Sequence, residues 1–183
     1  MSNCKKNCAR IKSGKIFPKI IKYRVISIIR DPLQRFISSY NFIRTLSVRG
    51  DEWSKSLLEK HNAHSICSLE DLFHSSLWTG SVDGNLDKAD ELQKFFVPQY
   101  RFIETTNDAI AKNISIFQLE HFQEAKNNLI QLGILGQTDQ LEHMNKSQRF
   151  LESDDIEQEL LPVIRDRYER DFQLHGQLNK EWI

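Results

Sequence analysis

The run Val25-Ile26-Ser27-Ile28-Ile29 is mostly β-branched and stops at Arg30-Asp31-Pro32. With Tyr23 and Arg24 before it, the segment predicts a buried strand that runs into a turn. Apolar residues then fall at Leu33, Phe36, Ile37, Tyr40 and Ile43, the stripe of a helix with one buried face. Asp31 suits the cap of that helix, and Pro32 suits its first position, where a missing N–H costs nothing. A strand feeding a helix in this way sets backbone N–H groups and the positive end of the helix dipole at the carboxyl edge of a sheet. The arrangement suits an anion. Arg30 adds a permanent cation whose planar fork can hold two phosphate oxygens. Ser38 lies roughly 9 Å along the axis at about 1.5 Å per residue, so its hydroxyl could meet the same phosphate. Spacing alone leaves a second reading open: a chance turn, with Arg35 a solvated helix residue.

The other elements are quieter. Residues 51–60 read as a solvated helix and 61–67 as a polar connection. A short helix opens at Ser68-Leu69-Glu70-Asp71. Thr79 to Asn85 reads as a loop, Leu86 to Phe96 as a helix that stops ahead of Pro98, and Ile114 to Phe117 as a second strand. Glu120 to Leu132 reads as an amphipathic helix with Phe122, Ala125, Leu129 and Leu132 on one side, ended by Gly133. Gly136 to Lys146 reads as a loop. Asp154 to Leu174 reads as helical, with Pro162 marking a break or a fresh start. The expectation is a helix-rich α/β chain with few strands: an irregular basic arm over residues 1–20 and one domain over 21–178.

Composition narrows the functional classes. The 183 residues carry 25 basic and 25 acidic side chains, so the basic excess of a general nucleic-acid binder is missing. Any basic site must be local. No apolar run approaches the roughly 20 residues of a membrane span, and Met1 to Lys6 lacks the apolar stretch of a signal peptide. The cysteines, Cys4, Cys8 and Cys67, have no regular spacing, which argues against a disulfide framework. Cys4 and Cys8 have no second ligand pair nearby, and His61, His64 and Cys67 lack a zinc spacing. No metal is expected.

The run Arg30-Asp31-Pro32-x-x-Arg35-x-x-Ser38-x-Tyr40 closely resembles the 3′-phosphate-binding motif of the sulfotransferases. It looks most like the glycan-sulfating branch, which includes the uronyl and heparan 2-O-sulfotransferases. The resemblance continues in order through Phe96-Val97-Pro98-Gln99, Ile116-Phe117-Gln118-Leu119-Glu120-His121-Phe122, His143-Met144-Asn145-Lys146-Ser147 and Tyr168-Glu169-Arg170-Asp171-Phe172 with Gly176. It covers Tyr23 to Gly176.

This resemblance implies a P-loop-type sulfotransferase fold and a sulfate donor, PAPS (3′-phosphoadenosine 5′-phosphosulfate), with a glycan as acceptor. It assigns Arg30 and Ser38 to the donor's 3′-phosphate. Lys146 either adds charge to the donor site or is a surface lysine. Tyr40, Tyr168 and Phe172 fit a core role, and Glu120 fits a structural carboxylate as well as a base. The family's second clamp, a Pro-Lys-x-Gly-(x)-Thr loop for the 5′-phosphosulfate, has no counterpart here. Ser13-Gly14-Lys15 lacks a strand before it, and Phe17-Pro18-Lys19 lacks the glycine. The expectation is therefore an N-terminally truncated domain with an incomplete parallel sheet. Its catalytic base is unassigned; His121, His143 and Glu120 are conceivable substitutes. A non-catalytic remnant or helical interaction module is the second reading. A P-loop kinase is the third, disfavoured by the missing Walker loop and Mg²⁺ carboxylate. The missing anchor points to a cytoplasmic bacterial-type protein, with the Golgi lumen as the alternative for a fragment of a eukaryotic membrane enzyme.

Overall fold

A computed structural model describes residues 25–80, 89–104, 114–137 and 147–181. Strand β1 (Val25–Ile29) pairs in parallel with β2 (Ile114–Gln118), Val25 opposite Ile114 and Ile29 opposite Gln118. Parallel neighbours need a long crossover, and here that crossover contains most of the helices. Both strands end at the same edge, and β1 passes directly into α1 (Pro32–Arg49). Asp31 caps this helix by accepting the Gln34 N–H at 2.9 Å, and Pro32 stands at its start. Gly50 closes it in the left-handed conformation, φ 64°, which a residue without Cβ adopts at no steric cost.

The apolar stripe of α1 organises the main core. Phe36, Ile37, Tyr40, Ile43 and Leu46 are all buried. They pack against Leu58 of α2 (Glu52–Glu59) and Leu72 of α3 (Leu69–His74). They also meet Leu77 and Trp78 of α4 (Ser76–Thr79), and Phe96. Ile164 of α7 (Leu161–Arg167) and Tyr168 close the cluster from the C-terminal end. Phe36 is its hub. Its ring lies 5.8 Å from Trp78, 6.1 Å from Phe73, 6.3 Å from Phe96 and 6.5 Å from Tyr168, with Trp78 and Phe96 edge-on as ring quadrupoles prefer. A smaller cluster of Phe117, Ala125 and Leu129 joins β2 to α6 (Phe122–Gln131). In chain order α5 (Tyr100–Ile103) precedes β2, and α8 (Glu169–Glu181) ends the described chain.

Several expectations are corrected. The helix read over Leu86 to Phe96 is only a 3₁₀ turn at Gln93–Phe95 among the described residues. Asp90 takes the Leu92 and Gln93 N–H groups with one carboxylate oxygen, and that local turn competes with helix. The stretch from Asp154 to Leu174 divides into a 3₁₀ turn (Ser153–Asp155), α7 and α8; Pro162 opens α7, as a fresh helix start. Helix α2 is not wholly solvated, since Ser54 and Leu58 are buried. Leu132 is exposed because α6 stops before it and Gly133 turns the chain left-handed, φ 68°.

Phe36→Ala would strip the shared contact from four aromatic rings. We expect a loss of about 3–5 kcal/mol, the range for a large buried aromatic cut to Ala, read from the midpoint of urea unfolding. Substitution of the exposed Phe102 should leave that midpoint nearly unchanged.

Candidate functional site

The turn after β1 is held by side chains from far along the chain. Gln99 accepts the Arg30 N–H at 2.9 Å and donates to the Arg30 carbonyl at 2.7 Å. Its amide thus stands where the peptide of another strand would stand, one residue beyond the last paired residue of β1. Gln99 is itself held: its N–H and that of Tyr100 donate to the two carboxylate oxygens of Asp171 at 2.6 and 2.7 Å. Asp171 is only 2% exposed. Burial pushes its carboxyl above the usual range, against the pull of the Tyr100 and Gln99 N–H groups and of nearby Arg35 and Arg170. On the other side, Glu120 accepts the Asp31 N–H at 2.8 Å and pairs with His175 at 3.3 Å. Partial burial works to raise the Glu120 carboxyl. The Asp31 and Glu120 N–H groups and His175 outweigh it and hold the carboxyl below its ordinary value.

These contacts change the expected chemistry of the turn. Arg30, Asp31 and Gln34 have all committed their N–H groups to protein side chains. Two carboxylates, Asp31 and Glu120, already occupy the positive end of α1. An anion here would therefore be met by side chains rather than by the helix terminus.

Arg30 and Ser38 line one cavity of about 630 Å³, between α1 and the segment 147–154. The face of α1 toward that segment is polar, with Gln34, Ser38, Asn41 and Thr45 at helical spacing. Three of the four bind the segment. Gln34 donates to Ser153 Oγ at 2.8 Å. Asn41 accepts the Phe150 and Leu151 N–H groups, both at 2.9 Å, and donates to the Leu151 carbonyl at 3.0 Å. Thr45 accepts the Gln148 N–H at 2.9 Å. Ser38 is the exception. Ser39, Thr45 and Ser47 also turn their hydroxyls back onto the carbonyl four residues earlier. The Ser38 hydroxyl and the Arg30 guanidinium make no hydrogen bond or ion pair among the described residues, and both face the cavity. The remaining charges on its wall are mixed: Arg149 pairs with Glu152 at 3.3 Å, and Asp154 stands nearby.

Other sequence-selected residues lie elsewhere. Lys146, His143, Cys4 and Cys8 fall outside the described residues. Arg35 is not solvated. It is largely buried, donates to the Lys94 carbonyl at 3.2 Å and has its affinity for the proton lowered by burial. Tyr40 belongs to the core and donates to the Cys67 carbonyl at 3.2 Å. Tyr168 is fully buried, bonds the Phe96 carbonyl at 3.0 Å and is pushed up to about 12 by that burial. Glu120 and His121 do not line the cavity. Cys67 is an exposed free thiol.

The family model described as "Sulfotransferase family" matches residues 5–176. The chain belongs to the sulfotransferase family. No curated protein and no solved structure matches it. Family membership implies PAPS as the sulfate donor. Two unengaged donors on one polar cavity fit its phosphate. In this sulfotransferase the Pro-Gln and Tyr-x-x-Asp-Phe segments, noticed in sequence only as resemblances, meet at the Arg30 turn. The polar face of α1 was missed because the apolar stripe was read instead. The spacing 34, 38, 41, 45 was its signal.

Gln99→Leu leaves the Arg30 N–H and carbonyl without their partner. We expect a stability loss of about 2–4 kcal/mol, one to two unsatisfied buried groups, measured by denaturant unfolding.

Proposed function

We propose that this chain is a PAPS-dependent sulfotransferase domain acting on a glycan hydroxyl, and that Arg30 and Ser38 bind the donor's 3′-phosphate. What supports this is the pair of unengaged donors, a guanidinium and a hydroxyl, on the wall of one cavity. PAPS would supply the transferable sulfuryl group. The chain's own part is to bind and orient. Arg30 offers a charged fork from a backbone held by Gln99 and behind it Asp171. Ser38 offers a neutral donor from a rigid helix. The segment 147–154, strapped to α1 through Gln34, Asn41 and Thr45, forms the opposite wall.

No Pro-Lys-x-Gly-(x)-Thr loop occurs in the sequence, and no residue is assigned to the 5′-phosphosulfate. The second reading is a non-catalytic nucleotide binder. Sulfate transfer to glycan acceptors separates the two readings, since the remnant binds donor without turnover.

Calorimetry with 3′-phosphoadenosine 5′-phosphate tests the binding site. Arg30→Ala should weaken affinity by roughly 10- to 100-fold, the worth of a hydrogen bond to a charged group, and Ser38→Ala by about tenfold. Neither change should alter binding of adenosine 5′-phosphate, which lacks the 3′-phosphate. Equal losses for both nucleotides, or no loss for either, would remove these two residues from the site.

A further inference from the structure

A second cavity, of about 490 Å³, shares no lining residue with the first. Its wall carries His61, in the turn just after α2, and Ser76, the first residue of α4. Ser76 Oγ lies 3.0 Å from His61 Nδ1. The other ring nitrogen, Nε2, is bonded to Asp90 Oδ2. The second oxygen of Asp90 accepts the Leu92 and Gln93 N–H groups, both at 3.0 Å, so the carboxylate cannot swing away. Gln93 closes the ring of contacts: it accepts the Asp90 N–H and donates to the Ser76 carbonyl, each at 3.2 Å.

The order of these groups has a chemical consequence. A carboxylate on Nε2 keeps the proton there, and the Nδ1 lone pair is then directed at the Ser76 hydroxyl. The imidazole is 8% exposed, while Ser76 is exposed at the cavity. A sheltered base oriented by an acid and bonded to an accessible hydroxyl is the arrangement that activates a nucleophile.

We propose that Ser76, His61 and Asp90 form a second, separate site that transfers the acyl group of small polar esters. Ser76 Oγ bonds to the ester carbonyl carbon as its proton passes to His61 Nδ1. The alkoxide leaves and takes that proton. Water then attacks the acyl-serine, giving a proton to Nδ1, and Ser76 departs as the hydroxyl with the proton returned. Asp90 stabilises the imidazolium in both halves. The Lys60 ammonium and Asn62 amide lie on the same wall and are available to the oxyanion. Glu70, Asp71 and His74 also line it, which favours a neutral or cationic ester over an anionic one.

The test uses the full chain with two probes, diisopropyl fluorophosphate and p-nitrophenyl acetate. We expect a phosphoryl adduct located to Ser76 by peptide mass spectrometry, and ester hydrolysis that Ser76→Ala abolishes. Asp90→Asn should slow both reactions at least about a hundredfold, because it favours the wrong tautomer. His61→Gln retains a donor for Asp90 and an acceptor for Ser76, so circular dichroism should report an intact fold while labelling is lost. No adduct on the native chain, an adduct on another residue, or unchanged labelling in folded His61→Gln would overturn the proposal. Donor-nucleotide binding should be the same in all four proteins, so failure here leaves the Arg30 site untouched.

Discussion

A buried carboxylate orders the working edge of this molecule. Asp171 is shut away from water and keeps both oxygens bonded to consecutive N–H groups, those of Gln99 and Tyr100. Removing a charged group from water is costly unless its lone pairs are satisfied, so the geometry of the 99–100 peptide is fixed by that cost. Gln99 is then held in the one position where its amide can grip both faces of the Arg30 peptide. Segments 69 and 72 residues apart along the chain are thereby tied to one turn. The backbone from which the Arg30 side chain departs is fixed by these contacts.

Helix α1 divides its duties by face. One face carries Phe36, Tyr40 and Ile43 into the core. The other carries Gln34, Asn41 and Thr45 to the segment 148–153. Apolar packing fixes the position of the helix, and hydrogen bonds fix the wall opposite it. Ser38 sits within the polar face yet bonds to neither the segment nor its own helix.

Much of this was legible from residue order. The β-branched run, the Asp-Pro entry and the apolar spacing of α1 are local signals, and the strand, cap and buried stripe follow them, although β1 buries only Ile29 and leaves Ile28 exposed rather than forming the buried strand expected. Pro162 announced the start of α7 in the same way. The failures were of another kind. Asp90 turns the chain at Leu92 and Gln93, where hydrophobic spacing alone suggested helix. For Arg35 a solvated position stayed open as one reading, because nothing nearby in sequence reveals that Lys94, Tyr168 and Asp171 lie beside it. The roles of Gln99 and Asp171 depend on contacts across some 70 residues, which periodicity cannot report. The family resemblance brought their segments to notice without saying what they hold. The strand-to-helix reading overstated the helix N-terminus as an anion site, since Glu120 and Asp31 already take the Asp31 and Gln34 N–H groups.

The central claim is one of convergence: a strand-end guanidinium and a helix hydroxyl meet at one phosphate. A crystal structure of the chain bound to 3′-phosphoadenosine 5′-phosphate tests it most directly. The account predicts the 3′-phosphate in the cavity beside α1, within hydrogen-bond distance of both Arg30 and Ser38. A nucleotide seated elsewhere, or held in that cavity with its 3′-phosphate turned away from both side chains, would contradict it.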